Sequence, residues 1–173
     1  MKFFIILIIA IIPSISMADE FTSGDWIWSD SYVKDGFLFA ATVTENGTYI
    51  GQYCYISEGD CYYMLNAKIT CDSDSEHVTL VNSDIGSYTI KAICGHKVDD
   101  NNALYLYPFD EVDTMVKESN NIGVAIAMES GHFKVVRFSL SGSTKAISEM
   151  RAAASKLHDD AKSGETLDLE EIL

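Results

Sequence analysis

Between residues 26 and 140 the chain is a succession of short runs rich in aromatic and β-branched side chains, most ended by turn-forming residues. That punctuation is the tightest constraint on its fold. The runs are 26–33, 37–44, 48–56, 61–70, 77–82, 87–94, 103–107, 122–128 and 132–140. Breakers at 57–60, 72–75, 83–86, 101–102 and 130–131 separate most of them. Runs of this length and spacing predict a mainly β fold, an antiparallel β-sandwich or open barrel of about eight or nine strands. Strand and helix do not alternate regularly, which argues against a doubly wound parallel sheet. Glu45-Asn46-Gly47 lies between two runs. Asn-Gly is the strongest short hairpin signal, because both residues accept the positive φ of a type I′ turn.

Two segments have helical spacing instead. After Pro108, Phe109, Val112 and Val116 share one face of a short helix over 110–118, with Asp110 placed to cap it. Over 144–162, Ile147, Met150, Ala154, Leu157 and Ala161 form an amphipathic stripe. Ser143 is its expected N-cap and Gly164 its expected stop. The domain expectation is one β-rich unit over 19–162 ending in this helix, followed by an acidic tail over 163–173.

Residues 1–18 have the layout of a secretory signal peptide. Lys2 is followed by ten apolar residues, Phe3 to Ile12, then Pro13 and an A-x-A-like site at Ser16-Met17-Ala18. The apolar run is half of what a membrane span needs. A periplasmic or secreted protein with no stable membrane insertion after cleavage is therefore expected. Four cysteines, Cys54, Cys61, Cys71 and Cys94, suit an oxidising compartment. Their spacings match no zinc pattern, and there is no C-x-x-C. Of three possible connectivities, Cys54–Cys61 and Cys71–Cys94 is favoured, because the first would straddle the turn 57–60 and the second would tie the ends of two strand-like runs.

The charge separates function classes. Twelve basic against 26 acidic residues give −14 over 173 residues, the wrong sign for nucleic acid. A negative surface steers cationic partners instead, so a basic protein is the expected partner. Catalytic motifs are missing: no H-E-x-x-H, G-x-S-x-G, P-loop or Rossmann fingerprint occurs. No cofactor is implied. Asp72, Asp74 and Glu76 are a weak candidate for a hard cation such as calcium, lacking the EF-hand glycine and final glutamate; a solvated turn is the plainer reading. Aromatic residues crowd the N-terminal half: Trp26, Trp28, Tyr32, Tyr49, Tyr53, Tyr55, Tyr62 and Tyr63. Strand alternation puts Tyr49, Tyr53 and Tyr55 on one face, interrupted by Gly51. They are the candidate binding residues for a protein or glycan, since tyrosine favours interfaces.

The stretch Gly123-Val124-Ala125-Ile126-Ala127-Met128, then Phe133 to Ser143, then Lys145-Ala146-Ile147, resembles the end of the invasion-associated locus B family. In that family a closing strand with a phenylalanine-serine-leucine-like segment leads through a glycine into an alanine-rich helix. The resemblance covers mainly 120–150 and implies an exported bacterial β-rich protein. The family's usual cysteine placement is not clearly reproduced, and no catalytic residue carries over. These readings converge on an exported, non-catalytic binding or accessory protein. The alternative is a small hydrolase of cell-wall or glycan material, which would gather His77, His96 or His132 with carboxylates in one pocket.

Overall fold

The structure is a computed structural model that describes residues 20–128 and 130–164. The leader 1–18 and nearly all of the acidic tail lie outside the described residues. Ten antiparallel strands form one open sheet: β1 (Glu20–Ser23), β2 (Trp26–Ser29), β3 (Phe37–Val43), β4 (Tyr49–Tyr55), β5 (Cys61–Asn66), β6 (Glu76–Ser83), β7 (Gly86–Val98), β8 (Asn101–Tyr107), β9 (Asn121–Ala127) and β10 (Phe133–Ser139). Their order is β1-β2-β3-β4-β5-β8-β7-β6-β9-β10. Two helices complete the fold, α1 (Phe109–Glu118) and α2 (Ser143–Ser163).

Three of the predicted runs change on folding. The run at 87–94 extends to Val98, so the turn falls at 99–100 and the expected breaker 101–102 instead opens β8. The run at 26–33 stops at Ser29 and passes into a 3₁₀ turn at Val33–Asp35. The run at 61–70 stops at Asn66, because Lys68 turns into the left-handed region at φ 54°. An unpredicted strand, β1, pairs with β2 around Gly24. The β3–β4 connection is also not a type I′ turn. Only Gly47 takes a positive φ, and Thr44 and Thr48 close the loop around it through their backbones and hydroxyls. That is the three-residue hairpin loop with glycine in its left-handed position.

Alternation gives each strand an inner and an outer face. Leu38, Ile50, Leu65, Leu104 and Ile126 point inward and are fully buried. Each contributes about 1.5–3 kcal/mol by leaving water. Against them pack Val112, Met115 and Val116 of α1 and Ala146, Ile147, Met150 and Leu157 of α2. The stripe fades at Ala161, which is exposed. Neither helix has the side-chain cap its sequence suggests. Pro108 stands at the N-cap of α1 and Gly142, at φ 89°, at that of α2. The Ser143 hydroxyl instead donates to Val116 O at 2.7 Å and ties α2 to the end of α1.

The sheet curls until its two edges meet at one end. Trp26 Nε1 donates to Ser139 O at 3.1 Å, and Asp25 N to Ser141 O at 2.9 Å. Disulfides join Cys54 to Cys61 and Cys71 to Cys94. The second anchors the 67–75 connection, which must cross the ends of β8 and β7 to reach β6. Asn102 supports the same crossing, accepting from Cys71 N and donating its side-chain amide to Gly95 O.

Candidate binding face

The outer face of β2–β5 is paved with rings. Register sets Phe37 opposite Tyr55, Phe39 opposite Tyr53, and Val43 opposite Tyr49. Tyr53 in turn faces Tyr62 on β5. Neighbouring rings lie 5.2–6.2 Å apart, with Tyr32 stacked on Phe37 and Phe39 on Tyr53. Such pairs add roughly 0.5–1.5 kcal/mol beyond the area they bury.

A row of smaller side chains crosses this pavement. Ile27, Ala41, Gly51 and Met64 are aligned across four strands. A Cβ built at Gly51 would stand 2.6 Å from both Ala40 O and Ala41 Cβ, so no larger residue fits without displacement. The row is the floor of a groove of about 400 Å³, walled by Tyr32, Phe37, Phe39, Val43, Tyr49, Tyr53 and Tyr55 and closed by His96 and Val98. Gly95 serves its far side, since a Cβ there would enter the Tyr105 ring. Tyr105 Oη and His96 Nδ1 are 3.0 Å apart.

Three phenols in and beside the groove are held above their ordinary pKa. Burial raises the Tyr53 phenol well above its ordinary value, and Tyr49 adds to the effect. Burial likewise raises Tyr105, helped by Tyr55. Tyr62 is raised by desolvation and then by the charges of Asp60 and Glu58. All these hydroxyls stay neutral at physiological pH and can donate or accept. Exposed carboxylates Asp35, Glu58, Asp60, Asp99 and Asp100 stand in the turns that flank the groove, against exposed Lys34 and Lys97.

Beneath the sheet, a polar cluster joins it to both helices. Arg151 donates to Asp113 Oδ1 and to Gln52 Oε1, each at 2.5 Å. Tyr63 Oη donates to Asp113 at 2.7 Å, and Lys117 lies 3.1 Å from its other oxygen. Burial pulls the Asp113 carboxyl upward. The bonds from Tyr63, Arg151 and Lys117 outweigh that and hold it below the usual range. Gln52 Nε2 is buried with no hydrogen-bond partner among the described residues.

The sequence candidates fall into separate places. Tyr49, Tyr53 and Tyr55 meet in the groove. Trp26, Trp28 and Tyr63 point inward and belong to the core. Glu76 is held by Lys91 at 2.7 Å, while the Asp74 carboxylate accepts from Ser73 at 3.3 Å. Among the described residues, no three His, Cys, Asp or Glu side chains are gathered to hold a metal ion. The histidines do not converge either. His96 borders the groove, His132 lies 3.3 Å from Ser130, and His77 lies 3.0 Å from Ser75. Ser75 donates to Asp72 O at 2.6 Å, and among the described residues no carboxylate bonds His77. That pair lacks the orienting acid of a hydrolytic triad. Phe37, Phe39 and Met64 are not among the sequence candidates, because only strand register brings them beside β4. Tyr32, noted there only among the aromatic residues, reaches the groove from the turn after β2 by stacking on Phe37.

The crystal structure of invasion associated protein B from Bartonella henselae shares this fold. It matches with a TM-score of 0.53 over 79% of this chain and 97% of that one, at 12% identity. At that identity the likeness is one of fold, and it agrees with the resemblance in the C-terminal sequence. No protein-family model and no curated protein matches the chain.

Proposed function

We propose that this chain is an exported binding or accessory protein that holds a basic segment of a protein partner in its aromatic groove. The carrying observation is the channel over Ala41, Gly51 and Met64, walled by tyrosine and phenylalanine and flanked mostly by carboxylates. Lysine or arginine side chains laid on such rings gain roughly 0.5–2 kcal/mol each by cation–π attraction. The surrounding acids add long-range steering that salt weakens. The leader-like residues 1–18 and the two disulfides support a periplasmic or secreted location.

Affinity capture with oxidised 19–173 at low and moderate salt tests the proposal, run beside a Tyr32→Ala/Tyr55→Ala variant. The expected result is one basic protein retained at moderate salt by the wild type and lost from the variant. Equal retention by both proteins contradicts a groove-mediated role. Retention of glycan alone replaces the protein partner with a carbohydrate.

A further inference from the structure

Among the described residues β10 is an open edge of the sheet, and the ladder pattern tells which of its backbone groups are left unpaired. Met128 N bonds His132 O, and Leu140 N bonds Asn120 O. In an antiparallel ladder these bonds alternate, so the even-numbered residues of β10 bond β9. The N–H and C=O groups of Phe133, Val135 and Arg137 therefore point away from the sheet. Ser139 O, next in the series, is already taken by Trp26 Nε1. The free edge from Phe133 to Arg137 is roughly 17 Å long at about 3.4 Å per residue. The opposite edge, β1, has only four residues.

This edge carries two kinds of side chain. On the outer face, Phe133 and Val135 are 68% and 49% exposed, and Val78 and Leu80 on β6 are 69% and 50% exposed. Register aligns Leu80, Ala125 and Val135 into one apolar row. Beside the edge lies a cleft of about 530 Å³, bounded by the β3–β4 loop and lined by Lys68, Lys134 and Arg137 with Glu45 as its one acid. Lys134 and Arg137 have no ion-pair partner among the described residues. Three of twelve basic residues thus converge on one cleft of a chain whose net charge is −14.

We propose that β10 is a docking edge for an extended acidic segment of another protein, which adds as an eleventh strand. Its backbone completes the ladder at Phe133, Val135 and Arg137. Apolar side chains on its outer face cover Phe133 and Val135, carboxylates on its other face meet Lys134 and Lys68, and Arg137, on the outer face at the end of the free stretch, adds to the attraction. Strand addition of this kind takes affinity from main-chain bonds and specificity from alternate side chains. The site is separate from the aromatic groove and has the opposite charge preference.

The test is a titration of oxidised 19–173 with a blocked nonapeptide alternating valine and glutamate, followed by calorimetry and amide exchange. Binding is expected, with new protection at Phe133, Val135 and Arg137. Replacing glutamate by lysine in the peptide, or reversing Lys134→Glu and Arg137→Glu together, should weaken binding by roughly tenfold or more at low salt. N-methylating alternate peptide residues removes the probe's own donors without touching the protein, and should abolish binding. Val135→Pro deletes one outward N–H while sparing the bonds to β9, and should weaken binding too. Undiminished binding of the N-methylated peptide, or protection appearing away from β10, overturns the proposal. So does a dimer of the free protein that Val135→Pro dissociates, because the edge would then belong to a second copy.

Discussion

On β2–β5 the outward side chains are mostly rings that stack on one another, whereas on β6, β9 and β10 the outward apolar side chains are aliphatic apart from Phe133 and make no ring stacks. Both regions belong to one sheet and share one inner core. They differ in what the residues between the large ones do. In the first, Ala41 and Gly51 leave a floor between walls of rings, and the result is a concave channel. In the second, Ala125 and Ala127 lie level with their neighbours, and Leu80, Phe133 and Val135 project into solvent. The acids sit in turns beside the channel, and cations without an ion-pair partner among the described residues sit beside the edge. A single sheet thereby offers one surface to a basic side chain and another to an acidic strand.

The comparison can be broken first at the joint between the regions. Replacing both Cys71 and Cys94 by serine frees the connection that carries the chain from β5 to β6. It should lower unfolding stability by about 3 kcal/mol, measured in urea. The effect should exceed that of any outer-face change. Gly51→Val tests the channel itself. Its added Cβ meets backbone at Ala40 and the Ala41 methyl, so a destabilisation of roughly 1–3 kcal/mol is expected together with loss of groove binding. A stable Gly51→Val protein that still binds would show that the floor is irrelevant.

The polar cluster under the first region gives a pH signature. Asp113 has a folded pKa below its unfolded value. The stability it contributes is complete above the unfolded pKa of about 3.9 and is lost as pH falls through the folded value. Asp113→Asn should cost about 1–3 kcal/mol at neutral pH, by leaving Arg151 and Lys117 undercompensated. It should also flatten the acid limb of stability measured between pH 5 and 2. An acid limb identical to that of the wild type would remove Asp113 from the account. The smallest effect belongs to the second region. Leu80→Thr should change stability by no more than about 0.5 kcal/mol, because the side chain is half exposed.

How much of this could be read before folding depends on range. Strand runs, the closing helix and the shared face of Tyr49, Tyr53 and Tyr55 are local, period-2 or period-3.6 features, and the chain shows them directly. Which strand lies beside which is not local. The insertion of β8 between β5 and β7 is what sets Tyr105 beside Met64 and brings His96 to the groove. Gly51 reads in the sequence as a flaw in an aromatic face, yet across the sheet it is the reason the groove exists. Trp26 and Trp28 mislead for the opposite reason, since composition alone cannot tell an inward ring from an outward one. The free edge at β10 needs the full strand order before it can be found.

The central claim is that the aromatic half of the outer face is a binding surface. The most direct measurement is a backbone and ring nuclear magnetic resonance titration of oxidised 19–173 with a lysine- and arginine-rich peptide at moderate salt. The account predicts saturable shifts concentrated at Tyr32, Phe37, Phe39, Tyr53, Tyr55 and His96, with residues 78–80 and 133–137 unmoved. Shifts confined to the acidic turns, vanishing with salt and sparing the rings, would contradict it.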